Sequence, residues 1–267
     1  MLRPPLRILL IVFLSFFFAA PSANAHFGLV LPSDDIITAE GPRTIEISVR
    51  FMHPMECQYL EMARPKKFGV AHHGKTEDLL GALTAQSGNC PGREGSFQYW
   101  KTTFSVKRPG DHVFFVEPAP YWEPSEDKFI IHYTKVCVNA LGLEQGWEKP
   151  LGLETEIVPL TRPYGLWTNN VFTGRVLLRG KPAPNARVEI EYLNDAAGEA
   201  GVRPPSQPFV MQVATCDSNG VFTYAMPRAG WWGFAALSDA PRTIMKDGKK
   251  RKIEIGAVYW VRTVDMK

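Results

Sequence analysis

The sequence predicts an all-β fold built from two consecutive antiparallel β-sandwich domains. Helical periodicity is nearly absent from the 267 residues, and short runs of β-branched and aromatic residues recur instead. Turn-forming residues break these runs, since the chain contains 22 glycines and 22 prolines. We therefore expect the apolar residues to be buried between stacked sheets.

The first element, residues 1–25, is expected to be a signal peptide. Arg3 and Arg7 flank an apolar run at 8–20, and Ala23-Asn24-Ala25 has the small-x-small pattern that signal peptidase cleaves. This run is too short for a membrane span, and no later segment is long and apolar enough to form one. The sequence thus predicts a periplasmic protein that begins at His26 and has no transmembrane span of its own.

The first sandwich is predicted to span residues 26–162. Its β-branched and aromatic runs predict strands at Thr44–Phe51, Lys67–Ala71, Tyr99–Val106, Gly110–Glu117 and Lys128–Asn139. A single helix is expected at Thr76–Gln86, because Glu77 and Asp78 would fall in its first turn and three leucines share one side. A proline- and asparagine-bearing stretch near Pro159–Asn170 marks the expected domain boundary.

The second sandwich is predicted to span residues 163–267. Strands are expected at Val171–Leu178, around Val188-Glu189-Ile190-Glu191-Tyr192, at Val221–Tyr224, at Gly230–Ala236 and at Gly256–Val264. Their order and the turns between them resemble a transthyretin-like or carboxypeptidase-regulatory sandwich. Asp217-Ser218-Asn219-Gly220 is expected to be a plain turn, because a calcium loop would need a distal glutamate that is missing.

The charge balance argues against a nucleic-acid partner. Formal net charge is +3, and the two arginines of the leader account for most of it. A nearly neutral mature chain has no electrostatic footprint for nucleic acid. The basic run Lys246–Lys252 is expected to be a solvated hairpin tip around Asp247-Gly248.

The four cysteines form an even set in a chain expected to be exported. Three disulfide pairings are open to them, and spacing does not choose among these. We favour Cys57 with Cys90, because both lie in loop-like stretches, and we expect Cys137 to be buried in a strand. A Cys-x-x-Cys pattern is missing, which argues against a redox site or a zinc knuckle.

A histidine at the start of the mature chain would offer two nitrogens from one residue. Its free α-amine has a reference pKa of roughly 8, so it loses its proton near neutrality far more readily than a lysine does. Together the amine and the imidazole can chelate a divalent metal ion. The alternative is that signal peptidase simply happens to cut before a histidine.

Further imidazoles in the first half of the chain suggest a transition-metal site, since nickel, copper and zinc all favour this ligand. We expect His26, His53 and His132 to be ligands, completed by one of His72 and His73. Two successive residues of a strand point to opposite faces, so only one of that last pair can reach the metal. Glu56 is a candidate weak ligand or hydrogen-bond partner. His112 is expected to lie outside the site, and each histidine taken singly also fits a structural role.

Catalytic motifs are lacking. The chain has no Gly-x-Ser-x-Gly, no His-Glu-x-x-His and no glycine-rich phosphate loop. Glu154 and Glu156 have the spacing of a strand pair, but solvated glutamates often do. The tryptophans suit packing better than a carbohydrate platform. We therefore expect a protein that is not an enzyme.

The chain resembles the DUF4198 family, which includes periplasmic subunits associated with energy-coupling-factor nickel and cobalt transporters. The blocks that carry the likeness are His26-Phe27-Gly28, Phe51-Met52-His53-Pro54-Met55-Glu56, Pro65-Lys66-Lys67-Phe68, Pro120-Tyr121-Trp122-Glu123, His132-Tyr133-Thr134-Lys135, Gly146-Trp147-Glu148, Glu156-Ile157-Val158-Pro159-Leu160-Thr161, Gly180-Lys181-Pro182, Asp217-Ser218-Asn219-Gly220-Val221-Phe222 and Gly230-Trp231-Trp232-Gly233-Phe234.

This resemblance implies a nickel-binding protein that presents its ion to the membrane permease of an energy-coupling-factor transporter. Cobalt is an alternative cargo, and copper stays open because Met52 and Met55 depart from the pattern of other members. Two other classes of function also stay open. One is a copper-binding or oxidative enzyme built on the terminal histidine, and the other is a structural or glycan-binding two-sandwich protein.

Overall fold

The computed structural model describes residues 26–195 and 201–267. The expected signal peptide, residues 1–25, lies outside the described residues. The described residues form strands, turns and short 3-10 helices at Leu80–Ala82 and Gln207–Phe209. No helix among them is long and apolar enough to cross a membrane. The predicted all-β fold class is confirmed.

The strands of the first half are β1 (Phe27–Pro32), β2 (Ile36–Ile37), β3 (Thr44–His53), β4 (Gln58–Tyr59), β5 (Lys67–His72), β6 (Lys75–Asp78), β7 (Thr84–Gly88), β8 (Phe97–Ser105), β9 (Gly110–Glu117), β10 (Tyr121–Glu123), β11 (Lys128–Ala140) and β12 (Thr155–Pro159). The strands of the second half are β13 (Leu166–Trp167), β14 (Val171–Leu178), β15 (Lys181–Pro182), β16 (Arg187–Tyr192), β17 (Gln212–Thr215), β18 (Val221–Ala225), β19 (Gly230–Asp239), β20 (Ile244–Lys246) and β21 (Lys249–Val264).

These strands belong to sheets of very different size. A small sheet of the first half has the order β1-β3-β8-β7, with β4 on β3. A second small sheet adds β12 of the first half to strands of the second half, in the order β12-β14-β15 with β18 on β14. The large sheet between them has the order β17-β16-β19-β21-β11-β9-β5-β6. The first of these small sheets contains strands of the first half alone, whereas the second small sheet and the large sheet both join strands of the two halves.

The two halves are joined where β11 runs parallel to β21. Nine residues of β11, from Lys128 to Val136, pair in register with Lys252 to Trp260. The expected boundary between residues 26–162 and 163–267 is therefore not marked by a break in the sheet. This parallel pair is an exception in a fold that is otherwise mostly antiparallel. It places His132 directly opposite Gly256.

The apolar core is divided into clusters that lie on the two sides of the large sheet. One apolar cluster packs β1 and β3 against β11 and the end of β21, and it includes Phe27 and Trp260 with ring centroids 5.9 Å apart. The Trp260 indole N–H donates to the Gly28 carbonyl at 2.9 Å, which ties the first strand of the described chain to the last. A second cluster, which includes Phe172 and Tyr259, fills the other side of the large sheet. Buried aromatic residues of this size dominate the energetics of such a core.

The predicted helix at Thr76–Gln86 is wrong. Residues 75–78 form β6, which pairs with β5 across a tight turn, and residues 84–88 form β7, which pairs with β8. The turn is His73-Gly74, with φ values of 46° and 72°, as a two-residue hairpin turn requires. Pairing with neighbouring strands therefore overrode the helical pattern of the leucines.

The structure contains a disulfide and a basic hairpin at the places where the sequence predicts them. Cys57 and Cys90 form a disulfide, while Cys137 and Cys216 are free and buried. β20 and β21 form a hairpin around Asp247-Gly248, with Lys246 opposite Lys249. The favoured disulfide and the basic hairpin tip are both confirmed.

Candidate metal-binding histidine cluster

Strand register brings His26 next to His53. β1 is antiparallel to β3 with Phe27 opposite Met52, so the preceding residue, His26, falls opposite His53 on the same face. Their ring centroids lie 4.5 Å apart. Both side chains are buried, with His26 only 7% exposed. Two imidazoles that are 27 residues apart in sequence therefore meet at one end of the small sheet.

His132 reaches the same region from the large sheet. The Phe51 ring lies between the two sheets, with its centroid 5.7 Å from that of His26 and 5.8 Å from that of His132. Phe51 and His53 share a face of β3, because alternate residues of a strand point the same way. We call His26, His53 and His132 the first histidine cluster. The structure thus brings together three of the histidines that the sequence singled out.

Glu123 holds His26 in a defined state. Oε2 of Glu123 lies 2.8 Å from Nε2 of His26, and Oε1 of the same carboxylate accepts from the backbone N–H and hydroxyl of Ser125. Burial, together with the neighbouring His53 and His132, lowers the pKa of His26 to about 4. Burial works against ionisation of Glu123, but the Ser125 and His26 hydrogen bonds outweigh it and lower its pKa. At neutral pH His26 is therefore a neutral imidazole that donates a hydrogen bond from Nε2 to the carboxylate of Glu123.

His132 is buried without hydrogen bonds. The residue is 1% exposed, and within the described residues neither Nδ1 nor Nε2 has a hydrogen-bond partner. Oε1 of Glu254 lies 3.7 Å from Nε2, which is too long for a hydrogen bond. Leaving a buried polar atom unpaired costs about 1–3 kcal/mol. A ligand that bonded either nitrogen would recover part of that cost.

Two neighbours explain how His132 is accommodated. A Cβ added to Gly256 would lie 2.5 Å from Cδ2 of His132, so only glycine leaves room for the ring on the neighbouring strand. Burial opposes the charge on Glu254, but His132 and Lys128 outweigh it and lower its pKa to about 2. Nζ of Lys128 bonds this carboxylate at 2.6 Å. His132 therefore lies beside a permanent negative charge.

An apolar cavity adjoins the cluster. Its volume is about 440 Å³, and its lining includes Phe51, Met62, Tyr121, Trp122 and His132. The ring of Tyr121 lies 6.0 Å from that of His26 and 4.9 Å from that of Phe51. The first histidine cluster is thus buried in the protein and adjoins a cavity that is lined by aromatic side chains.

The remaining predicted ligands, Glu56, His72 and His73, lie away from the first histidine cluster. Glu56 lines a separate cavity with Cys57 and Arg93. His72 and His73 lie beside His112, which is opposite Val138 on β11. Val138 is six residues from His132, or about 20 Å at 3.3 Å per residue. The physical reason is the register, because β5 and β9 align His72 and His112 with Val138, near one end of β11, whereas His132 lies nearer the other end.

The sequence reasoning missed two acidic residues of the site, Glu123 and Glu254. Glu123 follows Tyr121-Trp122, and an acid beside two aromatic residues was the signal that could have drawn attention to it. Glu254 alternates with Ile253 and Ile255 in a half-buried pattern, but the basic run before it suggested a solvated hairpin. Their position near the histidines depends on strand pairing, which a single sequence does not reveal.

The donor set fits a transition-metal ion only in part. In residues 26–195 and 201–267, no three side chains of histidine, cysteine, aspartate or glutamate are already grouped to hold a metal ion. Among the described residues the nitrogens of His132 lack hydrogen-bond partners, and the His26 tautomer leaves the lone pair on Nδ1. Completing a coordination sphere would therefore require a further donor from outside these side chains.

Fold and site together define an all-β protein in which buried histidines from distant strands meet between two sheets. The chain belongs to the family described as a domain of unknown function, DUF4198, whose model matches residues 23–240. No curated protein matches the sequence.

Several solved structures are similar over much of the chain, at low identity. The adhesin InvE of Yersinia pseudotuberculosis is 13% identical with a TM-score of 0.22, over 86% of this chain and 58% of that one. A putative carbohydrate-binding protein from Bacteroides uniformis is 11% identical with a TM-score of 0.23, over 76% and 90%. Salmonella alpha-2-macroglobulin is 12% identical with a TM-score of 0.24, over 92% and 15%. This chain thus spans little more than half of the adhesin and a small part of the macroglobulin.

Proposed function

We propose that the mature protein binds a nickel ion in the periplasm and delivers it to the membrane permease of an energy-coupling-factor transporter. The ion is cargo, and the protein is not an enzyme. Its ligands are the α-amine and Nδ1 of His26, together with imidazoles of His53 and His132. The observation that carries the proposal is the 2.8 Å contact between Nε2 of His26 and Oε2 of Glu123.

This contact selects the nitrogen that a terminal chelate needs. A carboxylate can only accept a hydrogen bond, so the ring proton sits on Nε2 and the lone pair on Nδ1. Nδ1 and the α-amine of the same residue close a six-membered ring around a metal ion. Metal-bound histidines commonly donate their other ring N–H to a carboxylate in this way. Removal of residues 1–25 supplies the amine, which is the further donor that the side chains lack.

The other two histidines complete the donor set. The His53 ring lies 4.5 Å from that of His26, so a small rotation brings its lone pair to an ion held by His26. The buried nitrogens of His132 have no hydrogen-bond partner among the described residues. Binding to nickel would offset the cost of leaving them unpaired. An all-nitrogen site suits nickel and other late first-row metals better than magnesium or calcium.

Delivery to a permease rests on the family resemblance. The periplasmic location rests on the cleavage pattern at Ala23-Asn24-Ala25. A binding protein of this type needs a partner to carry the ion across the membrane. We assign that role to the permease of an energy-coupling-factor system, with cobalt as the alternative cargo.

A matched pair of mature proteins tests the terminal chelate. One begins at His26 after native cleavage, and the other carries one additional glycine before His26. Nickel titration by calorimetry should show at least about tenfold weaker binding for the extended protein, because acylation removes the amine donor. The two proteins share every side chain, so the comparison isolates the amine. Equal affinities would remove the amine from the site.

A copper-dependent oxidative function is the second candidate. The aromatic cavity beside the cluster favours it, because a substrate could approach an ion held at His26. Copper(II) also binds nitrogen sites more tightly than nickel does. Electron paramagnetic resonance of the copper-loaded protein and a peroxide assay with a reductant distinguish the two. Copper turnover would favour the enzyme, whereas nickel binding without turnover would favour transport.

A further inference from the structure

A second group of imidazoles lies at the opposite end of the first half. His72 ends β5, His73 begins the following turn, and His112 lies near the start of β9. The rings of His72 and His112 are stacked, with centroids 3.9 Å apart and planes within 12°. The His73 ring packs edge-on against His72 with centroids 4.0 Å apart. We call these three residues the second histidine cluster.

Each of these rings is tied to a backbone carbonyl of the same short segment. Nε2 of His73 lies 3.1 Å from the carbonyl oxygen of Pro109. Nδ1 of His112 lies 3.0 Å from that of Gly110, and Nδ1 of His72 lies 3.1 Å from that of Asp111. Three consecutive carbonyls therefore each accept from a different imidazole.

These contacts fix the tautomers. A carbonyl oxygen only accepts, so the bonded nitrogen of each neutral ring carries the proton. The lone pairs are left on Nε2 of His72, Nδ1 of His73 and Nε2 of His112. Nε2 of His72 is buried and has no hydrogen-bond partner in the part of the chain that the structure describes. A ring N–H donated to a backbone carbonyl is a common support for a metal-bound histidine.

The backbone is shaped around these rings. Gly110 has a φ of 113°, and a Cβ there would lie 3.1 Å from Cε1 of His72 and 3.3 Å from Nε2 of His73. A side chain at this position would both strain the backbone and displace the imidazoles. His73 itself adopts a φ of 46° and is exposed, so it can turn without disturbing the core.

The second histidine cluster opens into its own cavity of about 950 Å³. It lies about 20 Å from His132 along β11, at 3.3 Å per residue. The charged side chains that line this cavity are Lys75, Glu77, Lys107 and Arg108. The excess of cations disfavours ions that are held mainly by charge, such as calcium and magnesium. An ion that forms strong bonds to neutral nitrogen is favoured instead, with an anion from solvent able to complete its coordination.

We propose that His72, His73 and His112 form a second metal site, which binds copper(II) independently of the first histidine cluster. Copper(II) forms the strongest imidazole complexes of the divalent first-row ions. His72 and His112 supply two nitrogens from neighbouring strands, and the exposed His73 turns to supply a third. Binding slides the stacked rings apart so that their lone pairs converge on the ion.

Variants that keep the hydrogen bonds test this site. In His72→Asn and His112→Asn, the amide N–H can replace Nδ1–H towards the same carbonyl, but no lone-pair nitrogen remains. His73→Gln does the same for Nε2–H. These changes are made in a His26→Ala/His53→Ala background, which removes the first cluster. Circular dichroism and thermal unfolding check that each protein is folded.

The background protein should bind one copper(II) ion, with nitrogen hyperfine structure in its electron paramagnetic resonance spectrum. Adding His72→Asn and His112→Asn should weaken binding about tenfold or more, a loss expected when ligands are removed. Copper binding that survives these two changes would overturn the proposal. So would a background protein that binds no copper, even if the unaltered protein binds nickel at the first cluster.

A measurement on the unaltered mature protein covers the case in which the background variant does not fold. Copper(II) added beyond the one equivalent that the first histidine cluster takes up should broaden the imidazole NMR signals of His72 and His112, because copper outcompetes nickel at nitrogen sites and fills the first cluster. If these signals stay sharp at two or more equivalents of copper(II), with the first histidine cluster already filled, the second site does not exist. Calcium and magnesium serve as negative controls, because neither should compete.

Discussion

Nε2 of His26 lies 2.8 Å from Oε2 of Glu123, although the two residues are 97 positions apart in the chain. Both are largely buried, at 7% and 9% exposed. The contact joins the start of β1 to β10, and so links the small sheet of the first half to the large sheet. It holds the ring proton on Nε2 and so leaves the lone pair of the imidazole on Nδ1.

Changing Glu123 to glutamine should weaken nickel binding about 10- to 100-fold, the range typical for partners of metal-bound histidines. The amide oxygen would stay with Ser125, so the amide nitrogen would face His26 and move the ring proton to Nδ1. Calorimetric titration of the mature protein measures the effect. Glu46→Gln is the matched control, because that carboxylate forms an exposed pair with Lys101. Unchanged affinity in Glu123→Gln would show that Glu123 does not orient a ligand.

Changing His132 to leucine should affect the stability of the metal-free protein and the binding of nickel in different ways. The change removes buried nitrogens that lack hydrogen-bond partners within the described residues, so the free energy of unfolding of the metal-free protein should hold or rise by about 1 kcal/mol. The same variant should lose most of the stabilisation that nickel gives the wild type, because a ligand is gone. Urea unfolding with chelator and with nickel measures both effects. A variant that nickel still stabilises as strongly as the wild type would exclude His132 as a ligand.

The raised pKa of Asp35 predicts that the free energy of unfolding depends on pH. Burial raises the pKa of this carboxyl from 3.8 to about 6, against the opposing effect of Arg262. The folded state therefore holds the proton more tightly than the unfolded state. The resulting stability is present below pH 3.8 and is lost as the pH rises to about 6, by about 3 kcal/mol.

The variant Asp35→Asn removes this titration while leaving the backbone carbonyl that accepts from Asn139. Relative to the wild type, it should gain stability as the pH rises from 4 to 7. Urea unfolding at several pH values measures the difference. A constant difference between the two proteins across this range would contradict the raised pKa.

Substitution of Glu156 is expected to lower the free energy of unfolding by a large amount. Nζ of Lys135 lies 2.6 Å from its carboxylate, and both side chains are 1% exposed. The carboxylate also accepts from the backbone N–H groups of Leu151 and Gly152. Glu156→Gln leaves the ammonium buried without its counter-charge, which should cost about 3–5 kcal/mol.

Adding Lys135→Met should recover part of that loss, because the buried charge is then removed. Thermal and urea unfolding of the single and double variants form the test. A surface pair such as Arg162 and Glu144 gives the control, since its removal should cost less than about 1 kcal/mol. A single variant as stable as the wild type would mean that Lys135 finds another partner or loses its proton.

Ten of the 21 strands among the described residues were predicted from the sequence. The bounds expected for Gly110–Glu117 and Val171–Leu178 are those observed, because alternation and flanking turns act within a few residues. The helix expected at Thr76–Gln86 failed for the opposite reason. A local leucine pattern competed with pairing to β5 and β8, and the pairing prevailed.

The site was predictable only in part. His132 stood out as a polar residue in an apolar strand, His53 as a histidine just past a strand end, and His26 through the leader. Their approach depends on the register of β1 with β3 and on the packing of the two sheets. Glu123 and Glu254 carried only weak signals, and no local pattern separated His72 and His73 from the first cluster.

What the sequence by itself determined is the all-β class, the approximate positions of ten strands and the set of histidines. Tertiary structure alone decided the parallel pairing of β11 with β21, which makes one sheet of both halves. It also decided that the histidines divide into two clusters about 20 Å apart. The physical reason is that alternation and turns are local, whereas strand partners are chosen by burial of faces that lie far apart in the chain.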